Sequence, residues 1–275
     1  MQDQRLRILA IGAHPDDSDF EAGGVAALYA RRGHQVKFVS LTNGDAGHYK
    51  MGGAELARRR RAEALKAAAT IGIQYEVLDI HDEELMPTLE TRRRVIQIIR
   101  EFQPHLVMTH RPNDYHPDHR YTSTLVQDAA YLVTVAGTLA LTEHLRTNPV
   151  FVYFSDRFQK PYPFVPDVVV GIDQVVEKKV DMLHCHESQV YEWLPYNELY
   201  LEQVPRDKSL RRAWLRQRLE DSLREDADRF REKLIELYGE QRAAAIKYAE
   251  AFECCEYGLA LTGENIRRLF PFFDS

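Results

Sequence analysis

The strongest constraint on the fold is an alternation of short apolar runs and longer helix-like segments over residues 6–109. The apolar runs predict strands at 6–12, 36–41, 75–78 and 106–109, and the segments at 22–32, 54–71 and 91–102 predict helices. Strands that alternate with helices form a parallel sheet with helices on both faces. The sequence therefore predicts an α/β protein with a Rossmann-like, mostly parallel sheet flanked by helices.

The second part of the chain predicts further strands at 150–154 and 168–172 and a helix from 174 to about 188. Residues 207–238 carry apolar side chains at steps of three and four with charges between them, which indicates one continuous amphipathic helix or two. We therefore divide the chain into an α/β domain at 1–190 and a C-terminal helical extension at 191–275 that packs on the same domain. We expect the segment at about 200–245 to cover the cleft, to mediate homo-oligomerisation, or to do both.

Charge and hydropathy exclude several classes of partner. The formal net charge of −6 shows no excess of positive charge for binding nucleic acid. No run reaches the roughly 20 apolar residues of a membrane span, and the N-terminus is too short and polar before the first strand for a secretory signal. The three cysteines are too few for a disulfide framework or a CxxC metal site. We expect a cytoplasmic protein without nucleic-acid or membrane partners.

The first predicted strand ends in a histidine and two aspartates, in LAIGAHPDD at residues 9–17. A carboxylate at the end of a buried strand is costly unless something compensates its charge. A metal ion, a set of backbone N–H donors or a plain polar turn would each explain the pattern. A second polar cluster, in LVMTHRPNDYHPDH at 106–119, follows another predicted strand. Ligands of parallel sheets bind beyond the carboxyl ends of the strands, so both clusters point to one crevice.

Two imidazoles and a carboxylate are a common ligand set for catalytic zinc, which keeps a further position for water or substrate. Asp and His near helix starts are also frequent simply as caps, and that reading explains either cluster alone about as well. Two such clusters at the ends of two strands are better explained by a metal site. The residues concerned are His14, Asp16, Asp17, His116, Asp118 and His119.

AHPDD after the first strand, HPDH at 116–119 and HESQ at 186–189 together resemble the PIG-L or LmbE-like family of zinc-dependent N-acetylglucosaminyl de-N-acetylases. The resemblance runs in order over residues 5–190, with TNGDAGH at 42–48, ELARRRRAE at 55–63 and HDEELMP at 81–87 as further landmarks. It implies a zinc-dependent hydrolase that removes an N-acetyl or short N-acyl group from a small amino sugar or glycoconjugate.

The resemblance also implies a role for each matching residue. The zinc ligands would be His14, Asp17 and His119. Asp16 would be the general base, and a protonated His116 would stabilise the oxyanion of the tetrahedral intermediate. Two further carboxylates would orient the catalytic histidines: Asp118, which we count with the catalytic residues, and Asp114. Three side chains would contact the substrate: Arg60, Asp82 and His186.

Several alternatives stay open at this point. Ferrous iron suits imidazole and carboxylate ligands as zinc does. A metal-dependent amidase acting on a thiol conjugate or a non-sugar N-acyl metabolite would need the same chemistry. A non-catalytic sugar-binding protein would not need Asp16 and His116. No nicotinamide cofactor is expected, because the first strand leads to AHPDD and not to a GxGxxG loop.

Overall fold

Seven strands form one sheet in the computed structural model of the protein, which describes residues 5–273. Their bounds are β1 (Arg7–Gly12), β2 (Gln35–Ser40), β3 (Gln74–Val77), β4 (Leu106–Thr109), β5 (Val150–Phe154), β6 (Val168–Gly171) and β7 (Ala249–Gly258). The strands lie in the order β3-β2-β1-β4-β5-β7-β6. Neighbouring strands from β3 to β5 are parallel, and β7 is antiparallel to both β5 and β6.

The helices that flank the sheet follow the chain in two groups. Five lie before residue 190: α1 (Asp17–Arg31), α2 (Gly53–Ile71), α3 (Leu89–Phe102), α4 (Pro117–Leu132) and α5 (Val176–Cys185). The others are α6 (Leu194–Asn197), α7 (Lys208–Arg218), α8 (Glu220–Arg229), α9 (Arg231–Tyr238), α10 (Glu240–Ala245) and α11 (Gly263–Leu269). Within residues 5–273, no helix combines the length and the apolar character needed to cross a membrane.

The predicted α/β class is confirmed, and the six predicted strands occur within one residue of their predicted bounds. The structure differs from the prediction after residue 190. The amphipathic stretch at 207–238 is three short helices, α7 to α9, and residues 249–258 form β7 within the region predicted to be helical. Alanine and glutamate, which open β7, are poor strand formers. Pairing with β5 and β6 on both sides overrides that local preference.

The core occupies both faces of the sheet because successive residues of a strand point to opposite faces. Ile8 and Ala10 of β1 pack with α1 in one cluster. Leu9 and Ile11 of the same strand pack with α3 and α4 in another. Burial on both faces explains why the central strands are continuous apolar runs, and it leaves the strand ends as the place for polar groups.

Helices α7 to α10 pack on β6, β7 and α5. Ala227 of α8, Leu234 of α9 and Ala243 of α10 form a buried cluster with Val169 and Ala251 of the two strands. Leu215 of α7 joins a second cluster with Leu183 of α5 and Tyr191. The C-terminal region thus contributes a strand to the sheet and a layer of helices over its β6–β7 end.

A buried carboxylate fixes α1 against β7. Glu250 of β7 accepts hydrogen bonds from the backbone N–H groups of Gly24 and Val25, each at 2.7 Å, and from the Lys179 ammonium at 2.7 Å. Glu250 is 3% exposed, and a buried charge of this kind is tolerated only when it is paired and hydrogen-bonded. The contact holds the helix that begins at Asp17, so it contributes to the position of the polar cluster after β1.

We expect Gly24→Ala to lower the free energy of unfolding by about 1–3 kcal/mol, the usual range for overpacking a core. A Cβ at Gly24 would lie 2.8 Å from Glu250 Oε1 and 2.8 Å from Ile172 Cδ1. Gly23→Ala is the matched control, because its Cβ would meet Lys179 Cγ at an ordinary 3.5 Å. Gly23→Ala should raise stability by about 0.5–1 kcal/mol through better helix propensity. Urea denaturation of both variants checks this, and equal stability would contradict the close packing of α1 on β7.

Candidate active site

The two polar clusters meet at the carboxyl edge of the sheet. β1 and β4 are adjacent and parallel, with Ile11 opposite Thr109. The chain leaves β1 through AHPD and enters α1 at Asp17, and it leaves β4 through a longer loop and enters α4 at Pro117. His116 is the N-cap of α4 and Pro117 its first residue, the position where proline is best tolerated in a helix. The fold therefore brings together side chains that are about 100 residues apart in sequence.

Three of these side chains, those of His14, Asp17 and His119, lie close to one another. His14 Nδ1 lies 3.1 Å from His119 Nε2. Asp17 Oδ2 lies 3.5 Å from His14 Nδ1, and Asp17 Oδ1 lies 3.6 Å from His119 Nε2. Atoms bound tetrahedrally to zinc at 2.0–2.2 Å are roughly 3.4 Å apart. Each of these three distances is close to that value, and the two that involve Asp17 belong to its two different oxygens. The donor set suits a divalent cation, and the cluster could hold one.

Each of the two imidazoles is oriented by a carboxylate on its other nitrogen. His14 Nε2 lies 2.9 Å from Asp82 Oδ1 and 3.5 Å from Asp118 Oδ2. His119 Nδ1 lies 3.1 Å from Asp114 Oδ2. Metal-binding histidines normally donate their second N–H to such a partner, which fixes the ring and makes it a better ligand.

The electrostatics of the cluster favour positive charge at its centre. Burial opposes protonation, but the charge of Asp17 and hydrogen bonds to carboxylates raise the pKa of His14 well above its usual value. Burial likewise opposes protonation of His119, yet Asp17 and Asp114 raise its pKa to about 9. Asp17 is also buried, and the surrounding imidazoles nevertheless lower its pKa well below the usual value. A divalent cation would supply the same charge in place of the imidazole protons.

Asp16 lies beside the cluster and is held by an arginine. Its Oδ1 accepts a hydrogen bond from Arg60 Nη2 at 2.8 Å. Arg60 Nη1 donates to the Gly44 carbonyl at 3.1 Å, and Arg60 is 3% exposed. Gly44 has φ +70°, and a Cβ there would lie 2.5–2.7 Å from the guanidinium. Only glycine fits at this position, so the TNGDAGH segment can pack closely against the Arg60 guanidinium.

The three side chains predicted to contact substrate are all buried. Arg60 lies behind Asp16. Asp82 Oδ1 lies 2.9 Å from His14 Nε2. Burial raises the pKa of Asp82, but His14 and Arg60 together lower it to about 2. His186 is 0% exposed, and its Nε2 lies 3.4 Å from Oδ2 of the fully buried Asp19. Arg60 contacts Asp16 and Asp82 contacts His14, while the completely buried His186 offers no surface that a substrate could touch.

His116 lies next to the cluster, with its ring centroid 4.6 Å from that of His14. Its Nδ1 accepts a hydrogen bond from the Asp118 backbone N–H at 3.2 Å, which leaves Nε2 for a substrate. The Asp118 carboxylate instead accepts from the Glu83 N–H at 2.7 Å and faces His14. Burial and the charges of His14 and His119 lower the pKa of His116. The protonated form that the resemblance implies therefore requires a nearby negative charge, which a tetrahedral oxyanion would supply.

Sequence reasoning missed one side chain of the cluster. His110 directly follows β4, and its Nε2 lies 3.0 Å from Asp17 Oδ2 while its ring stacks on His119 at a centroid distance of 4.1 Å. The signal was present in the sequence, because His110 follows its strand closely, as His14 follows β1.

The protein is thus an α/β protein with a site suited to a metal ion. The site is a His–Asp–His cluster, with a further carboxylate nearby, at the carboxyl edge of a mostly parallel sheet. The chain belongs to the PIG-L family, whose model is described as GlcNAc-PI de-N-acetylase and matches residues 9–130. This finding confirms the resemblance carried by AHPDD and HPDH.

Two curated relatives differ in their reaction. The chain is 31% identical over 204 residues to a diacetylchitobiose deacetylase of Thermococcus kodakarensis, covering 69% of this chain and 74% of the relative. It is 28% identical over 202 residues to a 4-oxalmesaconate hydratase of Pseudomonas putida, covering 70% and 78%. The structure of N,N'-diacetylchitobiose deacetylase from Pyrococcus horikoshii is similar in fold, with a TM-score of 0.69 at 24% identity, over 92% of this chain and 84% of that one.

Proposed function

We propose that the protein is a metal-dependent hydrolase that removes an N-acetyl or short N-acyl group from an amino sugar or a glycoconjugate. The observation that carries the proposal is the cluster of His14, Asp17 and His119, to which Asp16 is linked through Arg60 and Asp82. Membership of the PIG-L family and the 31% identity to a diacetylchitobiose deacetylase support it. Zinc is the metal we propose, with ferrous iron as the alternative.

The bound cation would supply Lewis acidity, which polarises the amide carbonyl and makes a water molecule more acidic. Asp16 would accept a proton from the attacking water and return it to the leaving amine, since the Arg60 guanidinium occupies one of its oxygens and leaves the other. His116 Nε2 would donate a hydrogen bond to the oxyanion. Asp82, Asp114 and Asp118 would keep the histidine rings in place, and Arg60 would keep Asp16 in place.

A hydratase is the second candidate, because a 4-oxalmesaconate hydratase is among the relatives. Addition of water to a carbon–carbon double bond would use the same base and the same acidified water, but would release no amine. The amidase on a thiol conjugate or a non-sugar metabolite and the non-catalytic sugar-binding protein stay as further alternatives. The cytoplasmic location, the lack of nucleic-acid and membrane partners and a homo-oligomeric state likewise stay predictions.

The test is release of free amine from a panel of N-acetylglucosaminides by the purified protein, before and after chelation and after return of zinc. We expect release that falls at least about 100-fold on chelation, because Lewis-acid stabilisation contributes several kcal/mol, and that recovers with zinc. Carboxylated unsaturated acids assayed for water addition form the parallel panel. Turnover of that panel alone would replace the deacetylase proposal with the hydratase. Metal binding without turnover of either panel would contradict both.

A further inference from the structure

The Asp17 carboxylate has two oxygens with different surroundings. Oδ2 receives three hydrogen-bond donors: the Ala13 N–H at 2.8 Å, the His14 N–H at 2.7 Å and His110 Nε2 at 3.0 Å. Oδ1 lies 3.6 Å from His119 Nε2, on the side of the ligand cluster. Because three donors occupy Oδ2, Oδ1 is the oxygen left for a cation.

The proton on His110 follows from its partners. An ionised carboxylate only accepts hydrogen bonds, so Nε2 facing Asp17 Oδ2 must carry the hydrogen. The Ala13 N–H also lies 3.2 Å from His110 Nε2, but it is closer to the carboxylate oxygen, at 2.8 Å. Both the backbone and the imidazole therefore donate to the same oxygen.

The surroundings of His110 hold its ring in one orientation. The ring stacks on His119 with an interplanar angle of 11°, and Phe154 packs against it edge-on with a centroid distance of 5.5 Å. His110 is 5% exposed, so it is closed to substrate. It touches two of the three candidate metal ligands, by a hydrogen bond to Asp17 and by stacking on His119.

We propose that His110 is a positioning residue for the metal centre: its Nε2–H fixes Asp17 so that Oδ1 points to the cation and Oδ2 does not. The inference rests on the proposed metal site. Partners that orient metal ligands typically contribute 10–100-fold to metal affinity. His110 acts through Asp17 and has no direct contact with the reacting atoms.

The test compares His110→Phe, which keeps a planar ring but has no donor, with His110→Gln, whose amide can place a donor near the former Nε2. Zinc affinity is measured by competition with a chelating dye, together with the melting temperature of the metal-free protein, kcat and KM. We expect His110→Phe to bind zinc about 10–100-fold more weakly and His110→Gln to recover most of that loss. When zinc is limiting, His110→Phe should lower kcat much more than it changes KM.

His105→Phe is the matched control, because His105 precedes β4 at the opposite end of the strand and accepts a hydrogen bond from the Arg7 N–H. It should leave zinc affinity unchanged. Parent-like zinc affinity in His110→Phe would overturn the inference while leaving the proposed function intact. A parent protein that binds no zinc or ferrous iron would overturn both. If His110→Phe fails to fold, His110→Gln is compared with the ligand variant His119→Ala. Equally weak zinc binding in these two variants would also overturn the role of the His110 donor.

Discussion

Asp16→Asn should lower kcat by about 10²–10⁴-fold, the range that a general base contributes, while the protein keeps its metal. Asparagine cannot take up a proton at physiological pH, but its amide oxygen can still accept the bond from Arg60 Nη2 that now ends on Asp16 Oδ1. Asp16 is bonded to Arg60, which also lies 3.7 Å from Asp82, and it is not one of the three ligands that we propose. The substitution therefore separates proton transfer from metal binding.

The measurement is kcat on the preferred substrate, with zinc content determined on the same sample. Asp128→Asn is the matched control, because it makes the same chemical change on the exposed face of α4 and should leave both quantities unchanged. Near-normal turnover by Asp16→Asn would show that another group takes the proton. Loss of zinc from this variant would instead place Asp16 among the metal ligands.

His119→Ala should bind zinc more than about 100-fold more weakly and should lose activity with it, since removing a ligand costs at least as much as removing its orienting partner. His119 supplies one of three protein ligand atoms and stands 3.1 Å from His14 Nδ1. Without it, the remaining imidazole and carboxylate are too few for the three-ligand set of a catalytic zinc site.

Zinc content after dialysis against a weak chelator checks this prediction. The control is His184→Ala, which removes a half-buried histidine whose Nδ1 is bonded to the Tyr191 hydroxyl at 2.6 Å, outside the ligand cluster. Parent-like zinc retention by His119→Ala would place the cation elsewhere, for example in the group formed by His14, Asp82 and Asp118, whose ligand atoms all lie within 4.8 Å of one another. Asp16→Asn should thus keep its zinc, whereas His119→Ala should lose it.

Much of the sheet was predictable because its central strands are buried on both faces and read as continuous apolar runs. The meeting of AHPDD and HPDH was also predictable, since parallel strands place their carboxyl ends at one edge. Pro117 marks the start of α4 in the sequence as it does in the structure. These features depend on local pattern and on a general rule of sheet topology.

Other features depend on tertiary contacts that no local pattern encodes. Arg60 reads as one of four consecutive arginines, and only the folded loop around Gly44 shows that it is buried against Asp16. His186 reads as a polar-face residue of a helix, yet it is fully buried with Asp19. β7 reads as helix-prone, because its strand character comes from its neighbours. In each case the partner lies far away in sequence.

The place of β7 between β5 and β6 has a consequence for synthesis on the ribosome. A nascent chain that has emerged only as far as α10 contains six strands, but it lacks β7, the strand that lies between β5 and β6. Unpaired strand edges are templates for association with other chains. The sheet therefore cannot close until residues 249–258 are available, and truncation before residue 249 leaves β5 with an unpaired edge and β6 without its neighbouring strand.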